Sequence, residues 1–192
     1  MLRPRKSREL VRPLDIGLQW DVGAPLPHLL QSERRTFLIF YLSDPWADWD
    51  GTSIEVIDPT SPAPAPLGVV QWLSCGGAVL GGPNDEAYSG HRLWGQGLSE
   101  IGVYGAAEVM DSEWIAALEK QNRVHPNHRS DAFASYRHFI LGFHDSTFEC
   151  VAEGFRAWKA EISMPEMLGA LAARLNDPGF ESELALAEVK CG

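Results

Sequence analysis

Two stretches of the chain concentrate side chains able to move protons or hold cations. The first runs Gly81-Gly82-Pro83-Asn84-Asp85-Glu86-Ala87-Tyr88-Ser89-Gly90-His91 and sets Asp85, Glu86 and His91 on a glycine-rich loop. Carboxylates and an imidazole within reach of one another can bind a divalent cation or share a proton. The loop is not a phosphate cradle: no Lys-Ser/Thr follows the glycines, and its acids would repel phosphate. The competing reading is a solvated acidic turn in which Asn84 or Asp85 caps the local backbone.

The second stretch, His138-Phe139-Ile140-Leu141-Gly142-Phe143-His144-Asp145-Ser146-Thr147-Phe148-Glu149-Cys150, carries His138, His144, Asp145 and Glu149. Period two puts His138 on one strand face with Ile140 and Gly142, and His144 too if the strand runs on; a hairpin would bring Glu149 near that end. His144-Asp145-Ser146 is no hydrolytic triad, because adjacent residues cannot all point at one another, and no G-x-S-x-G elbow occurs. A structural role, with Asp145 and Ser146 satisfying the turn backbone, is preferred. His125-Pro126-Asn127-His128 could contribute two zinc ligands, but Pro126 takes it off a helix and no Cys lies nearby. Trp46 and Trp49, in an acidic loop, suit a sugar or a basic partner surface as well as they suit covering a core edge. Cys75, Cys150 and Cys191 are odd in number and lack a C-x-x-C, which fits reduced thiols: two small core residues and one in the tail.

Composition narrows the class. A hydrophobic share of 45%, with seven Trp and eight Phe among 192 residues, supports a packed core. The longest apolar run, Phe37 to Leu42, is too short to span a bilayer. The basic N-terminus is not followed by an apolar stretch, so it does not read as a secretory signal, and a cytoplasmic location is expected. Net charge is −10; the first twelve residues contribute +4 and leave −14 for the rest, which should repel nucleic acid and anionic membranes.

The elements that must position these groups follow from pattern. Residues 1–14, dense in charge and broken by Pro4 and Pro13, read as a flexible basic arm, 15–176 as a single α+β domain, and 177–192 as a tail. Thr36 to Leu42 predicts a strand buried on both faces, and strands are also expected at 53–58 and 66–73, joined by the proline-rich loop 59–66. A short strand after Gly76, another from Ile101 to Met110, a helix capped at Asp111 or Ser112 through about Gln121, and a short helix from Asp131 come next. An antiparallel hairpin of 139–143 and 148–159 turns at 144–147, and a capping box at Ser163 to Glu166 opens a helix that ends at Asn176 to Gly179. The order predicts an antiparallel or mixed sheet with two to three helices packed on one face.

Gly82-Pro83-Asn84-Asp85-Glu86, Gly90-His91-Arg92-Leu93-Trp94-Gly95-Gln96-Gly97-Leu98 and Phe143-His144-Asp145-Ser146-Thr147-Phe148-Glu149-Cys150 together resemble a bacterial family of uncharacterised proteins, over about residues 14 to 160. The resemblance implies no activity, substrate or catalytic residue, and it picks out the same two loops. Two functions are therefore expected to compete. One is a regulatory or immunity-type binding protein that meets a basic protein partner. The other is a small enzyme or ligand-binding protein with Asp85, Glu86, His91, His144, Asp145 and Glu149 around one site, which requires the two loops to meet. No cofactor is called for.

Overall fold

A computed structural model describes residues 9–43 and 57–175. These fall into two compact units: residues 9–15 with 75–154, and residues 16–43 with 57–74 and 155–175. Each has its own antiparallel sheet, so the α+β class holds. Among the described residues no helix is long and apolar enough to cross a membrane.

The first unit is built on a five-stranded sheet in the order β1-β6-β7-β8-β5. Its strands are β1 (Leu10–Leu14), β5 (Gly77–Gly81), β6 (Ala106–Met110), β7 (Arg137–Gly142) and β8 (Thr147–Ala152). β1 corrects the expected arm: Leu10 to Leu14 pair with Met110 to Ala106. A proline is tolerated there because β1 is an edge strand, where a missing N–H on the outer side breaks no ladder. The strand expected over 101–110 starts only at Ala106. Ahead of it, α1 (Leu98–Ile101) is a single turn, closed by Gly102 at φ 82°. The helix expected from Asp131 is one 3-10 turn, Ser130–Phe133.

One face of this sheet carries Val11, Ala107, Val109 and Ile140, and Tyr88, Leu93 and Leu98 from the segment after β5 join the same buried cluster. The second helix, α2 (Glu113–Asn122), starts as expected at Ser112, whose Oγ accepts the Ile115 N–H at 3.2 Å. Two glycines permit the close approaches on this face. A Cβ on Gly97, which sits at φ 112°, would lie 2.7 Å from the Val11 carbonyl oxygen, and one on Gly142 would collide with the Val103 carbonyl oxygen.

The second unit holds the order β2-β3-β4-β9, from β2 (His28–Gln31), β3 (Thr36–Tyr41), β4 (Ala65–Leu73) and β9 (Gly154–Ile162), with α3 (Met164–Arg174). β3 is buried along its whole length, as its uninterrupted apolar run requires. Phe37, Ile39, Tyr41, Leu67 and Val69 form a core with Met164, Met167 and Leu171 of α3. The Ser163 Oγ accepts the Glu166 N–H at 3.4 Å and donates to Glu166 Oε2 at 2.8 Å, a variant of the expected box in which the glutamate meets the cap hydroxyl. The run 148–159 is not one strand: it breaks at Glu153, so β8 and β9 belong to different sheets. Of the strand expected at 53–58, only Ile57 and Asp58 are described, and neither is in a strand. Trp46, Trp49, Cys191, the expected helix stop at 176–179 and the tail 177–192 lie outside the described residues.

Candidate functional site

The two loops singled out in the sequence do meet, and the path of the chain explains how. β5 pairs antiparallel with β8 from Gly77 opposite Val151 to Gly81 opposite Thr147. It leaves the ladder in the same direction, towards the tip of the β7–β8 hairpin. There the Thr147 hydroxyl donates to the Pro83 carbonyl at 2.7 Å and the Asp85 N–H to the His144 carbonyl at 2.9 Å. The chain then reverses through a 3-10 turn, Tyr88–Gly90, and returns across the sheet so that His91 reaches Glu149. The result is two clusters of different character.

The inner cluster centres on Glu149 of β8. Its Oε1 accepts from His91 Nε2 at 3.1 Å; its Oε2 accepts from His138 Nε2 at 2.9 Å and from Arg92 Nη2 at 3.0 Å. Register supplies the His138 contact: Glu149 lies opposite Ile140 of β7, two residues along the same face from His138. A carboxylate can only accept, so both imidazoles present Nε2–H to it. Their Nδ1 atoms agree with that tautomer: His91 Nδ1 accepts the Leu93 N–H at 3.2 Å, and His138 Nδ1 lies 2.9 Å from the Ser112 hydroxyl. Trp114 packs edge-on against the His138 ring at 5.2 Å. Arg92 also reaches Glu9 Oε2 at 3.0 Å, and Glu9 Oε1 accepts the Glu113 N–H at 2.9 Å, in the first turn of α2. His138 is wholly buried and His91 nearly so.

Burial alone would raise the Glu149 carboxyl, but hydrogen bonds from His138 and His91 and the Arg92 charge hold it far below the usual carboxylate range. Desolvation, reinforced by the Glu149 charge, pushes the Tyr88 phenol well above its ordinary value of 10.0. Ser112, His138 and Glu149 thus form a Ser-His-Glu line, yet it is built for holding rather than for chemistry. The serine oxygen caps a helix and is itself buried, away from any substrate.

The outer cluster lies at the hairpin tip. Asp85 Oδ2 accepts from the Tyr104 hydroxyl at 2.9 Å and from His144 Nδ1 at 2.7 Å; the Tyr104 oxygen is 3.3 Å from the same nitrogen. The Tyr104 bond lowers the Asp85 carboxyl, desolvation opposes it, and the His144 bond and the Glu86 N–H lower it further. Desolvation first, then the Asp85 bond and the Asp85 and Asp145 charges, raise the Tyr104 phenol. Tyr104 is 41% exposed, and Glu86 and Asp145 are exposed beside it.

The six residues picked from the sequence therefore do not share one site. His91 and Glu149 go to the inner cluster, and Asp85 and His144 to the outer one with Glu86 and Asp145 beside them. The expectation that Glu149 would sit near His144 fails because β7 ends at Gly142, which turns His144 towards Asp85. Glu9, Arg92, Ser112 and Tyr104 were missed as partners. Ser112 had a signal as a helix cap, and His138 had one in strand period; Glu9 was hidden in a basic stretch, and Tyr104 in a segment expected to be strand. His125 and His128 diverge: His125 Nδ1 accepts the Asn127 N–H at 3.1 Å, while His128 Nε2 donates to Glu119 at 2.9 Å. Among the described residues no three His, Cys, Asp or Glu side chains converge to hold a metal ion.

No protein-family model, curated protein or solved structure matches the chain.

Proposed function

We propose that this chain is a binding protein that meets a basic protein partner through the outer cluster, with Asp85, Glu86 and Asp145 supplying charge and Tyr104 an aromatic face. The observation that carries this reading is the uncompensated charge at the hairpin tip. The arginines found in ion pairs serve acids elsewhere: Arg92 pairs with Glu9 and Glu149, Arg123 with Glu119, Arg129 with Asp131 and Arg137 with Glu108. Asp85 pairs only with His144, which carries charge only when protonated, and neither Glu86 nor Asp145 has an ion-pair partner among the described residues. A Lys or Arg brought there gains a carboxylate and a ring face together. The ionised Asp85 and protonated Tyr104 suit fixed electrostatic recognition better than proton transfer. With −14 on the body of the chain, nucleic acid and anionic membranes are disfavoured, and a cytoplasmic setting and the likeness to the bacterial family belong to the same proposal.

The test is fluorescence anisotropy with a labelled arginine-rich peptide at low and high ionic strength. The wild type should bind at low salt and weaken as salt rises, and Asp85→Asn combined with Asp145→Asn should lose roughly tenfold or more in affinity. Equal binding by the double variant, or none by the wild type at low salt, overturns the reading.

A second reading, a small-ligand or catalytic site, is favoured by the meeting of the 81–91 and 144–149 loops themselves. It requires a thermal shift with a divalent cation or metabolite that disappears in His91→Ala while the melting temperature without ligand is unchanged. A large loss of stability in that variant marks His91 as structural.

A further inference from the structure

Each of the two sheets ends in two edge strands, whose outward N–H and C=O groups take up another strand unless something blunts them. Three of these edges are blunted. β1 carries Arg12 and Pro13, β2 is four residues long and follows directly on Pro27, and β9 carries Arg156, Lys159 and Glu161. β5 is the exception. Gly77-Ala78-Val79-Leu80-Gly81 has no proline and no charge, pairs only with β8 among the described residues, and leaves Val79 56% exposed. The strand is entered through Ser74, at φ 48°, and Cys75, which is half-buried rather than part of a core. We propose that β5 is a dimer edge: it pairs antiparallel with β5 of a second copy about a twofold axis at Val79 and joins the two five-stranded sheets into one continuous sheet.

The strand's own sequence argues for a second copy as its partner. Turned end for end it meets itself with Gly77 opposite Gly81, Ala78 opposite Leu80 and Val79 opposite Val79. Each exposed valine then covers the other as a β-branched cross-strand pair, and glycine stands at both ends, where the flanking segments of the two copies come closest. Charge selects the direction. Beyond Gly81 the chain reaches Asp85, whose N–H bonds the His144 carbonyl, with Glu86 and Asp145 exposed at the same end. A parallel pair would lay two such acidic tips side by side, whereas the antiparallel pair sends them to opposite ends of the joint ladder. The one carboxylate on β8, Glu149, lies opposite Val79 and is held by His91, His138 and Arg92. Pairing closes the edge on both copies, so association stops at two. Five residues give a seam only about 17 Å long. That places the contact among small, reversible interfaces, with a Kd on the order of 10–100 μM. Each copy carries a net charge of −10, so salt screens the repulsion and strengthens the pair, the opposite sign from binding of a cationic peptide at the hairpin tip.

The experiment is sedimentation velocity on the reduced full-length chain, from a few micromolar to several hundred micromolar, at low and high salt. The wild type should pass from monomer to dimer across this range, with no larger species, and salt should shift the passage to lower concentration. Val79→Lys sets an ammonium on each side of the twofold axis and should weaken the dimer by about tenfold or more. Its circular dichroism and melting temperature should match the wild type, because Val79 already stands in solvent. Val79→Thr keeps the β-branch and should dimerise within about threefold of wild type. Val124→Lys, at a residue 91% exposed in the loop after α2, adds the same charge away from β5 and should leave the dimer intact. Hydrogen exchange at high concentration should slow at residues 77–81 in the wild type and not in Val79→Lys. A chain that stays monomeric throughout, a dimer that Val79→Lys leaves unchanged or that Val124→Lys weakens equally, a dimer that salt dissolves, or growth beyond two copies overturns the proposal.

Discussion

Replacing Glu149 by Gln keeps the shape of the side chain and removes the charge that three donors converge on. In the native arrangement Oε1 faces His91 Nε2, and Oε2 faces His138 Nε2 and Arg92 Nη2. A glutamine must point its amide NH2 one way or the other. Towards His91 it meets an N–H that cannot move to the other nitrogen, because His91 Nδ1 already accepts from Leu93. Towards His138 it can be accommodated if that ring changes tautomer and Ser112 accepts from it, but the NH2 then faces Arg92, a second donor. Either way at least one charge-assisted bond is lost, a cost of about 1.5–3 kcal/mol. The Arg92 pair adds little, since its side chain is 46% exposed and such pairs contribute at most about 1 kcal/mol. Glu149→Gln should therefore destabilise by about 2–3 kcal/mol, and Glu149→Ala, which strands the donors outright, by about 3–5 kcal/mol. Urea denaturation followed by tryptophan fluorescence measures both. The pH dependence gives a separate readout. The folded carboxyl lies far below its ordinary value of 4.5, so between the two values the unfolded chain binds more protons than the folded one. The stabilisation is complete above the unfolded value and fades as pH falls towards the folded one, so the wild type should lose stability from roughly pH 5 downwards more steeply than Glu149→Gln. A Glu149→Gln variant within about 0.5 kcal/mol of wild type, with an unchanged pH profile, refutes the assignment of Glu149 as the hub.

Two further substitutions probe the same unit. Ser112→Ala removes the α2 cap and leaves His138 Nδ1 buried without its hydroxyl partner, so a loss of about 2–4 kcal/mol is expected in urea titration; combined with Glu149→Gln, the effects should depart from additivity by more than about 0.5 kcal/mol because both act through His138. Gly142→Ala drives a Cβ into the Val103 carbonyl and should cost more than about 3 kcal/mol or abolish soluble expression, whereas Gly81→Ala, with nothing within 4 Å of its Cβ, should shift the midpoint by no more than about 0.5 kcal/mol; equal effects refute the packing assignment.

Local signals read well where local chemistry decides the outcome. Thr36 to Tyr41 has no polar residue to give a solvent face beyond Thr36, and it is buried throughout. Ser112 and Ser163 cap the helices that their neighbours predict. His144 to Ser146 turn the hairpin, with the Phe143 N–H closing onto the Ser146 carbonyl at 2.8 Å. The failures have a common cause: the outcome depends on a partner distant in sequence. β1 looked like an arm because Arg12 and Pro13 contradict a buried strand, but at an edge only Val11 need face inwards, and Glu108 and Ala107 receive the other two. The run 148–159 was continuous in β propensity, and only the division between two sheets gives the break at Glu153 its meaning.

The candidate site was legible as a pair of loops and not as a pair of clusters, and that difference decides where function and stability should separate. Residues 85–91 span both clusters because the chain reverses at Tyr88–Gly90, so a reading by proximity in sequence merges groups that the fold keeps apart. Asp85 ends beside exposed residues at the hairpin tip; His91 ends on a covered sheet face against a carboxylate already held by His138 and Arg92. Charge at the tip has solvent to interact with, whereas charge at Glu149 has only the protein, and neutralising it withdraws the anchor of five segments: β8 and β7 through His138, the returning loop through His91 and Arg92, and β1 and α2 through Arg92 and Glu9. Substitutions at Asp85 and Asp145 should therefore change binding of a cationic peptide and leave the melting temperature nearly unchanged, while substitutions at Glu149 should do the reverse. A variant at the hub that lost binding yet kept full stability would place the recognition chemistry in the covered cluster and take it away from the tip.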